Sequence, residues 1–132
     1  MKLQEAQKAI EAAVAKSQSM GVRMSIAVVD ARADLVAVVR MDGTRSFTPD
    51  LARGKAMASA LWGQPSAALA EKAHNAVHMA VNNLNGGRVV YGQGAVPIMV
   101  GNELIGAVGA SGAKPEQDEE VAKAGAAALS AA

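Results

Sequence analysis

His74 and His78 are the only histidines in the chain, spaced four residues apart. On a helix that spacing sets both imidazoles on one face, one turn from each other. Two nitrogens so placed could hold one metal ion, or one of them could ligate haem iron. No Glu follows His74, so the zinc-protease pattern is absent. The other reading is a pair of surface or interface histidines. His78 is the stronger ligand candidate, because Val77, Met79 and Ala80 flank it, whereas His74 sits near Lys72 and beside Asn75.

Arg40 and Asp42 flank what reads as a strand end. An arginine there can grip a carboxylate with two parallel hydrogen bonds, and it can equally fix the turn before Gly43 through an internal ion pair. Lys55 lies between Gly54 and Ala56, with room around it for a ligand. Desolvated, it could act as a base or form a Schiff base, but the commoner fate of such a lysine is a solvated charge. Gly106, Gly109 and Gly112 carry neither the P-loop lysine nor the dinucleotide-binding spacing. Ser111-Gly112 nevertheless precedes a helix, where free backbone amides suit an anion. The seven methionines are scattered and read as core filler, with Met41 and Met79 as candidates to line a pocket.

These residues must be positioned by elements the pattern predicts. Apolar residues at three- and four-residue steps over 3–19, ending before Gly21, predict an amphipathic helix. The runs 24–30 and 35–41 predict an antiparallel hairpin about Asp30 to Asp34, and 96–100 and 104–110 a second hairpin about Gly101 to Glu103. Thr48-Pro49-Asp50 opens a helix to about Leu61, and Ser66 opens another through roughly Asn82, carrying both histidines. Val89 to Tyr91 suggests a short strand, and Pro115 starts a last helix to about Leu129. The order α-β-β-α-α-β-β-α is α+β: one domain over 1–132, an antiparallel sheet of two hairpins covered by helices. The terminal helices are expected on the sheet, those at 49–61 and 66–82 at an end or edge. Each strand then faces helices on one side only.

Composition narrows the function classes. Thirteen Lys and Arg against twelve Asp and Glu, with three aromatic residues in 132, argue against a nucleic-acid binder. With no cysteine, disulfides, thiolate metal sites and Cys nucleophiles are excluded. The N-terminus lacks a signal-peptide pattern and no apolar run is long enough to span a bilayer, so a cytoplasmic protein without membrane contact is expected. Alanine-rich helices carry more apolar surface than one face can hide, which predicts a homo-oligomer.

Three stretches taken together are more specific than any one of them. They are Val28-Val29-Asp30 with Val39-Arg40-Met41-Asp42-Gly43; Ala52-Arg53-Gly54-Lys55-Ala56; and Val96-Pro97-Ile98 with Ile105 to Gly112 and then Gln117-Asp118-Glu119. The combination resembles the GlcG/HbpS family of small haem-binding proteins, which includes the C-terminal domain of PduO-type adenosyltransferases. The resemblance spans nearly the whole chain. It implies a compact sheet covered by helices, an oligomer, haem binding in several members, and in others a role beside catabolic enzymes. Two departures stand out. The first hairpin turn, usually glycine in the family, is Ala31-Arg32-Ala33-Asp34, and the usual Gly-Gly-Gly before Val96 is Gly92-Gln93-Gly94-Ala95.

These features together predict a pocket on the sheet's rim that binds haem or a small organic acid. Arg40, Asp42, Lys55, His74, His78, Pro97, Ser111 and Gly112 are its candidate residues, and His78 is the candidate ligand for haem iron. An enzyme using acid/base chemistry on a small carboxylate or carbonyl compound is the competing reading, and a purely structural or chaperone-like accessory subunit a third.

Overall fold

The computed structural model describes residues 1–130. Helix α1 (Leu3–Ser19) leads into β1 (Ser25–Asp30) and β2 (Leu35–Arg40). Helix α2 (Thr48–Trp62) and a 3-10 segment (Ser66–Lys72) precede α3 (Ala76–Leu84). Strands β3 (Ala95–Val100) and β4 (Glu103–Ser111) and helix α4 (Pro115–Ser130) follow. The class is α+β, in the order the sequence predicts.

The strands form one antiparallel sheet in the order β2-β1-β4-β3. Each hairpin pairs within itself, and β1 joins β4 from Ser25 opposite Ser111 to Asp30 opposite Gly106. Side chains alternate across the sheet with the period of two that a strand imposes. Ile26, Val28, Val108 and Ala110 pack with the alanine-rich faces of α1 and α4, while Val29 and Ala107 pack with Ala56, Met57 and Ala60 of α2. The sheet is therefore the middle of three layers, and β1 is buried on both faces.

Two expectations need correction here. Helix α2 covers a face of the sheet, not an end or edge. Glycine makes this possible: Gly109 on β4 lies so close to the Ala52 carbonyl that a Cβ there would collide with the α2 backbone. Strands therefore meet helices on both sides of the sheet, not one.

The single helix predicted over 66–82 is two pieces. The chain leaves the 3-10 segment, turns through 73–75, and starts again at Ala76. Asn75 is extended (φ −68°, ψ 137°) and its side chain accepts the Val77 N–H at 3.1 Å, a cap that begins a new helix. His74 therefore lies outside α3, and the two histidines do not share a helix face. Val89 to Tyr91 pairs with no strand either. It straps across α2, Val90 N–H donating to Gly54 O at 3.0 Å and Val89 N–H to Asn82 Oδ1 at 2.9 Å.

Candidate functional site at the sheet rim

Where β1 and β3 begin and β2 and β4 end, the sheet presents a rim holding Ser25, Arg40, Ala95 and Ser111. Helix α2 starts at this rim. The Thr48 hydroxyl donates to Arg45 O at 2.8 Å, so across the 2.8 Å contact between Ser25 and Thr48 the serine is the donor. The segments before β1, before α2 and after β4 enclose a cleft of about 510 Å³, lined by Val22, Arg23, Arg45, Phe47, Ser111 and Gly112 among others.

Two guanidinium groups border this cleft. The Arg23 side chain packs over Gly43, which has φ +82°. The left-handed backbone there favours glycine, and a side chain at 43 would push the Arg23 guanidinium aside. Neither Arg23 nor Arg45 meets a carboxylate, because the ion pairs among the described residues are Lys55–Asp118 and Lys123–Glu119. Ser111 is only 5% exposed yet lines the cleft. Cations without counter-ions around a concave, partly apolar hollow can hold a carboxylate.

Arg40 and Asp42 line an adjoining depression of about 340 Å³ together with Val14, Gln18 and Met41, and Arg23 borders both hollows. No ion pair joins Arg40 to Asp42 among the described residues. Ser111, Gly112, Arg40 and Asp42 thus share one rim. Pro97 lies further along β3, opposite Ala107.

Lys55 is a correction to the solvated-charge reading. It is 8% exposed, and its Nζ donates to Asp118 Oδ2 and to Ala110 O, both at 3.1 Å. Asp118 Oδ1 in turn accepts the Ala113 N–H at 3.0 Å, so the pair fixes one wall of the cleft without facing it. Burial pushes the Asp118 carboxyl above its usual range, against the Ala113 amide and the Lys55 charge, which pull it down. Asp118 was hidden in the sequence. Its signals are an acid in the first turn of α4, which Glu116 shares, and its place in the Gln117-Asp118-Glu119 stretch, neither of which points to Lys55.

His78 is not at the rim cleft. Its ring stacks flat on Trp62 (4.0 Å between centroids, 3° between planes) and meets Tyr91 edge-on at 5.4 Å. Both ring nitrogens are buried and have no hydrogen-bond partner. The Tyr91 hydroxyl donates to the His78 carbonyl at 2.6 Å, tying α3 to the strap. His74 is exposed in the turn before α3, and Met79 is exposed as well.

The model of the HbpS-like family, described as haem-degrading, matches residues 1–127. The chain belongs to this family. No curated protein matches it significantly in sequence. Among solved structures, ORFY of Klebsiella pneumoniae superposes with TM-score 0.88 at 25% identity, over 100% of this chain and 92% of that one. A double mutant of Streptomyces reticuli HbpS gives 0.84 at 29%, over 98% and 86%. The PduO C-terminal domain, solved as a haem complex, gives 0.84 at 25%, over 98% and 94%. The HbpS-like assignment confirms the resemblance read from the motifs. Among the described residues, no helix of this HbpS-like chain is long and apolar enough to cross a membrane.

Proposed function

We propose that this HbpS-like chain handles haem and that its rim cleft takes the carboxylate edge of the ligand. The observation that carries the reading is the pair of guanidiniums, Arg23 and Arg45, bordering one hollow with no protein carboxylate to neutralise them. Arg23 and Arg45 bind and orient the carboxylates, the Ser111 hydroxyl offers a further hydrogen bond, and Val22 and Phe47 supply apolar surface. Arg40 and Asp42 extend the site along the rim, and Gly112 lets the chain after β4 pass close against the Arg23 and Met24 backbone. The related haem complex of the PduO C-terminal domain supports the choice of ligand.

The donors fit a carboxylate edge. His78, the iron candidate in the sequence, stacks on Trp62 at the far end of α2, about 20 Å along the helix from Thr48 at the rim. A haem whose carboxylates sit in the rim cleft therefore takes no iron ligand from this His78. Bound haem would supply a redox-active iron whose ligation is read in its absorption spectrum. A small organic acid is the second reading, favoured because no histidine or methionine lines the rim cleft.

Assembly into a homo-oligomer belongs to the same proposal, as does a place beside a catabolic enzyme. Exposed Val77, Met79 and Leu84 on α3, and Val38 and Val39 on the edge strand β2, support association. The test is a titration with hemin followed at the Soret band. Saturable binding that weakens tenfold or more in an Arg23→Ala/Arg45→Ala variant supports the reading. An absent Soret shift ends it.

A further inference from the structure

A second hollow, apart from the rim cleft, is built from the start of α2 and the strap that crosses it. It has about 280 Å³ and is lined by Asp50, Leu51, Arg53, Gly87, Arg88 and Val90. Glycine explains why these residues meet. Gly54 lies against the Arg88 carbonyl and the Val90 side chain, where any Cβ would collide, and its carbonyl accepts the Val90 N–H at 3.0 Å. The strap is pinned again by Val89 N–H on Asn82 Oδ1 at 2.9 Å. Arg88 is therefore set beside Arg53 by backbone contacts that exist without any ligand.

The polar groups in this hollow are left incomplete. Arg53 Nε is buried and has no hydrogen-bond partner. Neither Arg53 nor Arg88 pairs with a carboxylate among the described residues, although Asp50 lines the same hollow. A buried donor without a partner is costly; Nε is closed off from the hollow in this structure, so a carboxylate takes the Nε–Nη edge of Arg53 once the side chain turns toward it. Two arginines against one aspartate leave a net positive charge of one, which suits a monoanion. Leu51 and Val90 offer apolar contact, and Asp50 offers an acceptor. The volume falls just below the ~300–1,000 Å³ of ligand pockets for drug-sized molecules, so the occupant is small.

We propose that this hollow is a second ligand site, for a short-chain monocarboxylate that carries a hydroxyl donor. Arg53 and Arg88 bind the carboxylate, Asp50 accepts from the donor, and Leu51 and Val90 contact the alkyl part. The site is independent of the rim cleft and stands whether or not that cleft binds haem.

The experiment is NMR titration of the full chain with lactate, with propionate, and with inorganic phosphate, following the Arg53 Nε–H and the Leu51 and Val90 methyls. Saturable shifts with lactate are the expected result, with propionate at least threefold weaker and that preference lost in Asp50→Ala. Arg88→Ala, on the exposed strap, weakens lactate tenfold or more. Arg53→Lys, which keeps the charge and removes the fork, weakens it at least fivefold, and Arg23→Ala leaves it unchanged. Unsaturable shifts, or full affinity in the Arg53 and Arg88 variants, overturn the site. A response to phosphate as strong as to lactate overturns the assignment to a carboxylate.

Discussion

Lys55 Nζ lies 3.1 Å from Asp118 Oδ2, and this buried contact joins α2 on one face of the sheet to α4 on the other. Lys55 also donates to the Ala110 carbonyl of β4, so three elements meet at one ammonium group. Removing one partner strands the other charge in the interior. Asp118→Ala is expected to cost about 3–5 kcal/mol, the range for breaking a buried pair. Replacing both, as Lys55→Met/Asp118→Leu, costs less than either single change. Urea denaturation measures this, and a single-variant loss below about 1 kcal/mol would contradict it.

The same carboxyl makes stability depend on pH. Burial raises its pKa in the fold above the 3.8 of the free side chain. Between the unfolded and folded values the native state holds more proton than the unfolded chain, so this group's stabilisation is full below about 3.8 and is lost as pH rises through the folded value. Stability curves of the parent and Asp118→Asn, which cannot titrate, are the measurement. The parent is expected to lose ground to the variant as pH climbs from about 4 through the folded pKa, and a gain over that window would refute the shift.

Ala33 turns the first hairpin at φ +68°, and among the described residues it is the only non-glycine with positive φ. A left-handed backbone costs an L-residue about 1–2 kcal/mol, which glycine avoids. Ala33 is buried, so its methyl returns part of that cost. Ala33→Gly is expected to raise stability by up to about 1 kcal/mol in thermal denaturation. A clear loss would mean that the packing of the methyl outweighs the strain.

Trp62 is the only tryptophan, and His78 covers its face at 4.0 Å. His78 is also the one buried residue of α3. His78→Ala is expected to alter Trp62 emission and to lower stability by about 1–3 kcal/mol, since an aromatic pair adds about 0.5–1.5 kcal/mol to the area it buries. Unchanged fluorescence would place the ring elsewhere in solution.

The class, the two hairpins and the order of elements were legible because β-branched runs, Gly101 and the Thr48-Pro49 start are local signals. The break at 73–75 was harder to read, because Asn75 caps α3 inside a stretch whose helical pattern looks continuous. The layer arrangement was not legible. It depends on Gly109 meeting Ala52, and no local pattern ties a strand glycine to one helix turn. Of the proposed rim site, Ser111 and Gly112 were named in the sequence because they precede a helix; they line the cleft, and Arg40 and Asp42 lie in the depression beside it. Arg23 and Arg45 were missed because each sits in a loop whose course only the fold reveals. Lys55 reads as a surface charge until its partner, 63 residues away, is known.

In the function proposed here, Arg23 and Arg45 hold the carboxylates of a haem at the rim. The most direct measurement compares hemin with hemin dimethyl ester, in which both carboxylates are masked, by Soret titration of the parent and of Arg23→Ala/Arg45→Ala. The parent is expected to bind hemin at least tenfold more tightly than the ester, and the double variant to bind the two alike. Equal affinity of the parent for both compounds would contradict it.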